Sequence, residues 1–328
     1  MTLRTFAASM ICGALLPLSA SAQTDVQFQM SWIASGEYAP LSAGIEKGFF
    51  RDVGINLTMT TGRGSGDAIA KVGAGVAPFG DADISAVMTA RVRTATPVKC
   101  LHALQTKSPH SLFVLESSGI KGFKDLAGKK LGTTAGNSHF LYFPRVAKLS
   151  GIDPNSVSWV TVDASALAPM LIAKNIDAAP LFALNWYYQN KAAEKQGQRI
   201  KVIPFSESGF KIYAYCLTGN EKFVAANQDL TRRFLAAVQK SYLWARENMQ
   251  EAAVLHVKRF PEGQVDDVVG TLKMQQAFMF NENTERDGFG FYNRNQLQET
   301  YAVVAEAQKL RPDFDVTEFV DTSYLRPR

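Results

Sequence analysis

Short apolar runs alternate with amphipathic segments along most of the chain. Val26–Trp32 and Ile55–Thr60 have the composition and alternation of strands, and the segment between them, Tyr38–Phe50, has the period of a helix. A glycine-rich turn at residues 62–66 leads into another predicted helix, and Val98–Leu104 is a further predicted strand. Because strands and helices alternate along the chain, this order predicts a mostly parallel sheet with helices on both faces.

A second block repeats the pattern and predicts a second sheet. Its predicted strands are Ser111–Leu115, Lys130–Thr133, Ser158–Val162, Ala178–Phe182 and Lys201–Pro204. Two α/β blocks in series indicate two lobes. The strand-like run Tyr213–Thr218 then indicates that the chain returns to the first lobe. The remainder has helical periodicity, with predicted helices at Leu230–Glu247, Gln250–Phe260, Val265–Phe280 and Asn295–Leu310.

The first 22 residues have the features of a secretory signal peptide. Arg4 supplies a positive charge, residues 6–18 are apolar, and Ala20-Ser21-Ala22 is a small-residue cleavage site before Gln23. The apolar stretch is too short to cross a bilayer comfortably, so a membrane anchor is the weaker alternative. We therefore expect export of the chain, with residues 1–22 removed.

Charge and cysteine content narrow the possible functions. The chain carries 35 Lys and Arg against 30 Asp and Glu, a net charge of +5 that is spread along its length. No basic run has the density that tracks a phosphate backbone, so nucleic acid is not an expected partner. The cysteines beyond the signal peptide are Cys100 and Cys216. Export permits a disulfide between them, and two buried free thiols are at least as compatible with the sequence.

Several segments together carry a family resemblance. They are Trp32 with Ser35-Gly36-Glu37-Tyr38, residues 44–50 (GIEKGFF), the turn Gly64-Ser65-Gly66, and residues 125–132 (DLAGKKLG). In these segments the chain resembles the periplasmic binding proteins of the nitrate, sulfonate, taurine and thiamine-pyrimidine-precursor type, which serve ATP-driven importers. The segment from Trp32 to Tyr38 is most similar to the branch that binds pyrimidine-type or other flat ring compounds.

The resemblance implies a type II periplasmic-binding fold, in which two α/β lobes enclose a ligand. Mapped onto this chain, lobe one covers residues 24–106 and 216–328, and lobe two covers residues 107–215. The crossings between the lobes are expected near Leu104–Ser108 and Gly209–Tyr215. The resemblance further implies a location in the Gram-negative periplasm, a small-molecule ligand, the permease and ATPase subunits of an importer as partners, a monomer, and no cofactor or metal.

Candidate binding residues lie in the loops between strands and helices. Ligands of open α/β sheets bind beyond the carboxyl ends of the strands, where helix N-termini present free backbone N–H groups. For each aromatic side chain in these loops the alternative is ordinary core packing. The expected ligand-binding residues are Trp32, Glu37, Tyr38, Gly64, Ser65, Gly66, Asp83, Thr134, Asn137, His139, Trp186 and Tyr213.

The chemistry of these residues favours a flat ring as the ligand, such as a pyrimidine-like compound or an aromatic acid. Aromatic faces stabilise a stacked ring, and Glu37 and Asp83 are able to accept from an amino group on it. Each of these two carboxylates also suits the first turn or the cap of a helix. A small sulfonate, nitrate or carboxylate is the alternative ligand, for which Arg63 would be the donor.

Enzyme motifs are missing from the sequence. The four histidines, His102, His110, His139 and His256, are scattered, and there is no H-E-x-x-H pair, nucleophile elbow, P-loop or C-x-x-C motif. The same resemblance includes pyrimidine-synthesising enzymes, which carry a cysteine-rich motif and are not exported. This chain lacks that motif, so the sequence predicts a binding protein rather than an enzyme.

Overall fold

The computed structural model describes residues 23–210 and 212–325, and the expected signal peptide at residues 1–22 lies outside them. The described residues form two five-stranded sheets. Their strands are β1 (Thr24–Gln29), β2 (Ile55–Thr60), β3 (Phe79–Asp83), β4 (Val98–Ala103), β5 (His110–Leu115), β6 (Lys130–Thr133), β7 (Ser158–Thr161), β8 (Ala178–Phe182), β9 (Ile200–Pro204) and β10 (Tyr215–Asn220).

Helices cover both sheets, and many of them begin at a capping side chain. Asp83, Asn137, Asn220 and Asn293 each accept a backbone N–H of the first turn that follows, which satisfies a donor that the helix leaves unpaired. The helices are α1 (Ala39–Glu46), α2 (Ser65–Gly73), α3 (Ile84–Thr94), α4 (Ser138–Leu149), α5 (Leu167–Ile172), α6 (Trp186–Glu194), α7 (Glu221–Ala226), α8 (Gln228–Glu247), α9 (Met249–Arg259), α10 (Val265–Met279), α11 (Glu282–Asp287) and α12 (Arg294–Gln308).

The two sheets have the same topology. The first has the order β2-β1-β3-β10-β4, and the second has the order β7-β6-β8-β5-β9. In each sheet one strand runs antiparallel to its neighbours, β10 in the first and β5 in the second. Each of these antiparallel strands is the first strand after the chain crosses from the other sheet. The prediction of two mostly parallel sheets flanked by helices is confirmed.

Two connections join the sheets. The first, residues 104–109, leads from β4 to β5, and the second, residues 205–214, leads from β9 to β10. The first connection hydrogen-bonds with the end of the second and the start of β10, because the Ala214 N–H donates to the Gln105 carbonyl at 3.1 Å and the Gln105 N–H donates to the Tyr215 carbonyl at 3.0 Å. A hinge between the two lobes would therefore lie in this paired segment.

Cys100 and Cys216 form a disulfide bond. Cys100 lies on β4 and Cys216 on the neighbouring β10, so the bond connects two adjacent strands of the first sheet. The sequence left a disulfide and two free thiols as alternatives, and the structure shows the disulfide. The bond joins β10, which follows the connection from the second sheet, to β4, which precedes the connection to the second sheet.

Helix α8 packs on the first sheet, whereas α10 and α12 also contact helices α6 and α4 of the second lobe. Phe234 of α8 stacks on Phe79 of β3, with ring centroids 4.1 Å apart and planes 9° apart, and it also contacts Phe28 of β1. These rings are fully buried and form the centre of the first lobe's core. None of the helices built by the described residues is long and apolar enough to span a membrane.

Candidate ligand-binding site

A cavity lies between the two sheets, where the carboxyl ends of strands from both of them face each other. From the first sheet and its loops it is lined by Ser31, Trp32, Glu37, Gly64, Ser65 and Tyr215. From the second it is lined by Asn137, Ser138, His139, Pro180, Leu181, Phe182 and Asn185. This is the position at which open α/β sheets bind ligands.

Two helix N-termini point toward the cavity. Helix α2 begins at Ser65 after Gly64, whose φ of 147° is a backbone conformation that favours glycine. Helix α4 begins at Ser138, and the Asn137 side chain accepts the His139 backbone N–H at 2.9 Å. The remaining N–H groups of the two first turns lie beside the cavity and give it a partial positive potential.

The lobes touch each other at the rim of the cavity. The Gly66 N–H donates to the Gly136 carbonyl at 3.2 Å, and a Cβ on Gly66 would lie 3.1 Å from the Gly136 Cα. A water molecule's centre has about 30 Å³ of room in the cavity, about two to three times the room that one buried water needs. The structure is therefore a closed arrangement, and a ring-sized ligand would enter only if the lobes part.

Aromatic rings line the cavity from both lobes. Trp32 is half-buried and packs against the apolar cores of both the first and the second lobe. Phe182 lies edge-on to Tyr215 across the lobes, with ring centroids 5.2 Å apart, and 5.0 Å from the His139 ring. These rings offer faces and edges to a flat compound.

Glu37 is a buried carboxyl group at the cavity. The Ser35 hydroxyl donates to its Oε1 at 3.1 Å, and its Oε2 has no hydrogen-bond partner among the described residues. Burial, and secondarily the charge of Asp81, raises the pKa of Glu37 to about 8. At neutral pH Glu37 is therefore mostly protonated, so it can both donate and accept a hydrogen bond.

His139 presents an acceptor to the same cavity. Its Nδ1 lies 2.9 Å from the Asn137 Oδ1. That oxygen also accepts the His139 backbone N–H, so it is an acceptor and Nδ1 carries the ring proton. Burial, followed by the neighbouring His110, holds the pKa of His139 well below its usual value. The ring is neutral, and its Nε2 is an acceptor without a partner among the described residues.

Asp81 lies in the layer behind the cavity. It accepts from the Ser31 N–H at 2.9 Å, the Ser31 hydroxyl at 3.0 Å and the Tyr38 hydroxyl at 3.1 Å. Burial raises the pKa of Asp81 to about 7 even though these donors oppose the shift. Ser31 also hydrogen-bonds the Tyr215 hydroxyl. The network fixes Tyr38 and Tyr215 against Glu37.

The structure brings half of the predicted binding residues to the cavity. Trp32, Glu37, Gly64, Ser65, Asn137 and His139 line it. Tyr38 lies behind it in the Asp81 network, and Gly66 forms the contact between the lobes. Thr134 is buried in the turn after β6 and faces a separate surface depression that Arg63 also lines.

The other three predicted residues form hydrogen bonds outside the cavity. Asp83 caps α3, accepting from the Ser85 N–H at 2.9 Å, and it also accepts from the Tyr142 hydroxyl of the second lobe at 3.0 Å. Trp186 donates its indole N–H to the Ile200 carbonyl at 2.8 Å within the second lobe. The Tyr213 oxygen accepts the Asn293 N–H at 2.9 Å, so its ring lies in the core beside α12.

Several lining residues were not among the sequence candidates. Ser31, Phe182 and Tyr215 lie at the ends of segments that the sequence predicts as strands, so they were interpreted as core residues. Asn185 lies in the turn before α6. Asp81 could have been found from the sequence, because the run Phe79–Asp83 places two carboxylates on a fully buried strand. Burying a carboxyl group is unfavourable without partners, so such a strand marks a polar network.

Within residues 23–210 and 212–325, no group of three His, Cys, Asp or Glu side chains is placed to hold an ion.

The fold is that of solved periplasmic binding proteins. The alkanesulfonate-binding protein SsuA from Xanthomonas axonopodis matches with a TM-score of 0.68 and 13% identity, covering 94% of this chain and 99% of that one. The chain therefore has the two-lobed periplasmic binding protein fold. A family model described as NMT1/THI5 like matches residues 35–252. This match spans more than half of the chain, and the chain belongs to that family.

Curated relatives of the chain differ in their names. The riboflavin-binding protein RibY from Chloroflexus aurantiacus is 23% identical over 308 residues, 92% of this chain and 86% of RibY. A 4-amino-5-hydroxymethyl-2-methylpyrimidine phosphate synthase from Legionella pneumophila is 28% identical over 142 residues. That second match spans 43% of this chain and 44% of the synthase, less than half of either.

Proposed function

We propose that this protein is the exported solute-binding component of an ABC importer, which captures a small flat ring compound by closure of its two lobes. The observation that carries the proposal is the enclosed cavity between the lobes, where Trp32 packs against both cores beside buried polar atoms. Pockets of this kind, apolar with a few fixed polar groups, are typical of small-molecule sites. We propose lobe one as residues 24–106 with 216–328, lobe two as residues 107–215, and a monomer that delivers its ligand to a permease and ATPase.

The described side chains of the cavity argue against an anionic ligand, because none of them adds a full positive charge to the partial positive potential of the two helix N-termini. No Lys or Arg is among the described residues that line the cavity. Arg63, the donor expected for a sulfonate or nitrate, has its side chain 75% exposed and pairs with Asp67 at 3.6 Å. Glu37 would become harder to ionise beside an anion, and His139 offers an acceptor where an anion needs a donor. A neutral ring that carries N–H or O–H donors suits these groups better.

The names of two relatives support a ring-shaped ligand. Riboflavin and an aminopyrimidine are both flat nitrogen heterocycles, and the respective proteins are named for binding one and making the other. A synthase is therefore the alternative of a different class. The absence of the cysteine-rich motif from this sequence favours a receptor. Native mass spectrometry of protein purified without refolding tests both, because a receptor should release a bound ring compound unchanged.

Trp32→Ala is expected to weaken ligand binding by about 1–3 kcal/mol, since an anchoring aromatic at the centre of an interface contributes about that much. Calorimetry with the co-purified compound measures the change. Trp159→Ala is the matched control, because Trp159 is also half-buried but packs against Phe140 and Phe143 away from the cavity. Equal dissociation constants for wild type and a folded Trp32→Ala protein would place Trp32 in the core and contradict the proposed clamp.

Export is expected to yield a mature chain that begins at Gln23. The basis is the Arg4 charge, the apolar stretch and the Ala20-Ser21-Ala22 site. N-terminal sequencing of protein from the periplasmic fraction checks it, with Ala22→Arg as the variant that should block cleavage. Recovery of mature protein that retains Met1 would contradict the assignment.

A further inference from the structure

A second, smaller pocket lies directly behind the cavity. Glu37 and Tyr215 line both spaces and form the partition between them. A water molecule's centre has about 10 Å³ of room in this inner pocket, which is about the room for one non-hydrogen atom with its hydrogens. Phe28 and Leu104 provide apolar walls.

One residue that lines the inner pocket carries an unpaired acceptor. Gln105 is 2% exposed, and its Oε1 has no hydrogen-bond partner among the described residues. Its backbone is fixed, because its N–H donates to the Tyr215 carbonyl of β10 and its carbonyl accepts the Ala214 N–H of the second connection. Glu37, 4% exposed, adds an Oε2 that is also unpaired. A buried polar atom without a partner is unfavourable, so these atoms indicate that something fills the space and bonds with them.

Several other polar groups of the pocket already have partners. Asp81 accepts from Ser31 and Tyr38, and the Tyr215 hydroxyl pairs with Ser31. Glu37 as a carboxylic acid can donate or accept, whereas Gln105 Oε1 can only accept. The unpaired Gln105 Oε1 therefore requires a hydrogen-bond donor on the occupant.

We propose that the inner pocket is a specificity subsite for one hydrogen-bond-donating substituent, an amino or hydroxyl group, on the ring held in the outer cavity. The inference rests on the proposed function, since the ring must bind between the lobes for its substituent to pass Glu37. A methyl group has the same size but leaves Gln105 unpaired. The subsite thus selects between substituents by hydrogen bonding and excludes groups larger than one non-hydrogen atom by volume.

Calorimetry with matched pairs of probes tests the subsite. The probes are pyrimidine itself, 4-aminopyrimidine with 4-methylpyrimidine, and 2-aminopyrimidine with 2-methylpyrimidine. In at least one pair the amino compound should bind wild-type protein about tenfold more tightly than the methyl compound, the usual effect of one buried hydrogen bond gained or left unmade.

Gln105→Met removes the acceptor and keeps the side-chain length. It should reduce the preference to within about threefold, by weakening the amino compound and not the methyl compound. Gln196→Met, on an exposed position after α6, is the matched control and should keep the wild-type preference. Thermal melts of both variants establish that they fold.

The possible outcomes separate failure of the subsite from failure of ring binding. If amino and methyl compounds bind wild type equally, or if Gln105→Met keeps the preference, the inner pocket holds only a buried water and the subsite is wrong, while ring binding stands. If none of the five rings binds, a pyrimidine-type ligand is wrong and the subsite fails with it, whereas the proposed receptor is tested separately by native mass spectrometry of the co-purified compound.

Discussion

Replacing Glu37 by Gln should make the protein more stable relative to wild type as the pH rises. An exposed glutamate carboxyl group has a pKa of about 4.5, and burial raises the pKa of Glu37 to about 8 in the folded protein. Between these values the unfolded chain releases its proton while the folded chain keeps it. The free energy of unfolding of wild type, minus that of Glu37→Gln, should therefore fall with pH by on the order of 4 kcal/mol, at about 1.4 kcal/mol per pKa unit.

Urea unfolding followed by circular dichroism at pH 5, 6, 7 and 8.5 measures this difference. Taking the difference between two proteins removes the contribution of the buried histidines, which both proteins share. Glu116→Gln controls for the loss of a carboxyl group, because Glu116 is exposed and its surroundings change little on unfolding. A difference that stays constant or increases with pH would show that Glu37 is ionised in the folded protein, and its assignment as a neutral group that can donate a hydrogen bond would be wrong.

The fold could be predicted from the sequence because buried strands leave a plain signal. The run Ser111–Leu115 was predicted as a strand and β5 covers His110–Leu115, since a continuous apolar segment between turn residues has few alternatives. Helix α4 begins at Ser138 directly after Asn137, a residue type that favours the cap position and is therefore visible in the sequence. The short helices α7 and α11, of six residues each, were not predicted, since so few residues show no period.

The position of the candidate site could be predicted from the sequence, but its full set of lining residues could not. Loops at strand ends are identifiable from the order of elements, which is why Trp32, Gly64 and His139 were found. The direction of a side chain around a helix depends on tertiary packing, so nothing in the sequence shows that Trp186 would bond with Ile200. Tyr215 reads as a core residue, because the antiparallel return of β10 that brings it to the cavity is a property of the whole fold.

Gly66→Leu should abolish lobe closure and weaken ligand binding by about a hundredfold or more. The Gly66 N–H donates to Gly136 across the lobes, and even a Cβ at this position would lie 3.1 Å from the Gly136 Cα. A leucine side chain extends further and would hold the lobes apart. Since ligand contacts from both lobes exist together only in the closed form, affinity falls with the population of that form.

The choice of leucine separates closure from folding. Gly66 lies in the first turn of α2, where leucine is a better helix former than glycine by roughly 0.5–1 kcal/mol. The melting temperature of the ligand-free variant should therefore not fall, because the clash exists only between closed lobes. Ala70→Leu, one turn later on the exposed face of the same helix, is the matched control and should bind and close like wild type.

Small-angle scattering with and without ligand measures closure directly. Wild type and Ala70→Leu should show a smaller radius of gyration when ligand is bound, with an unchanged circular dichroism spectrum because secondary structure is preserved. Gly66→Leu should keep the larger radius at any ligand concentration. A Gly66→Leu protein that binds with wild-type affinity and still contracts would mean that the lobes close without the Gly66–Gly136 contact, and that this contact does not limit closure.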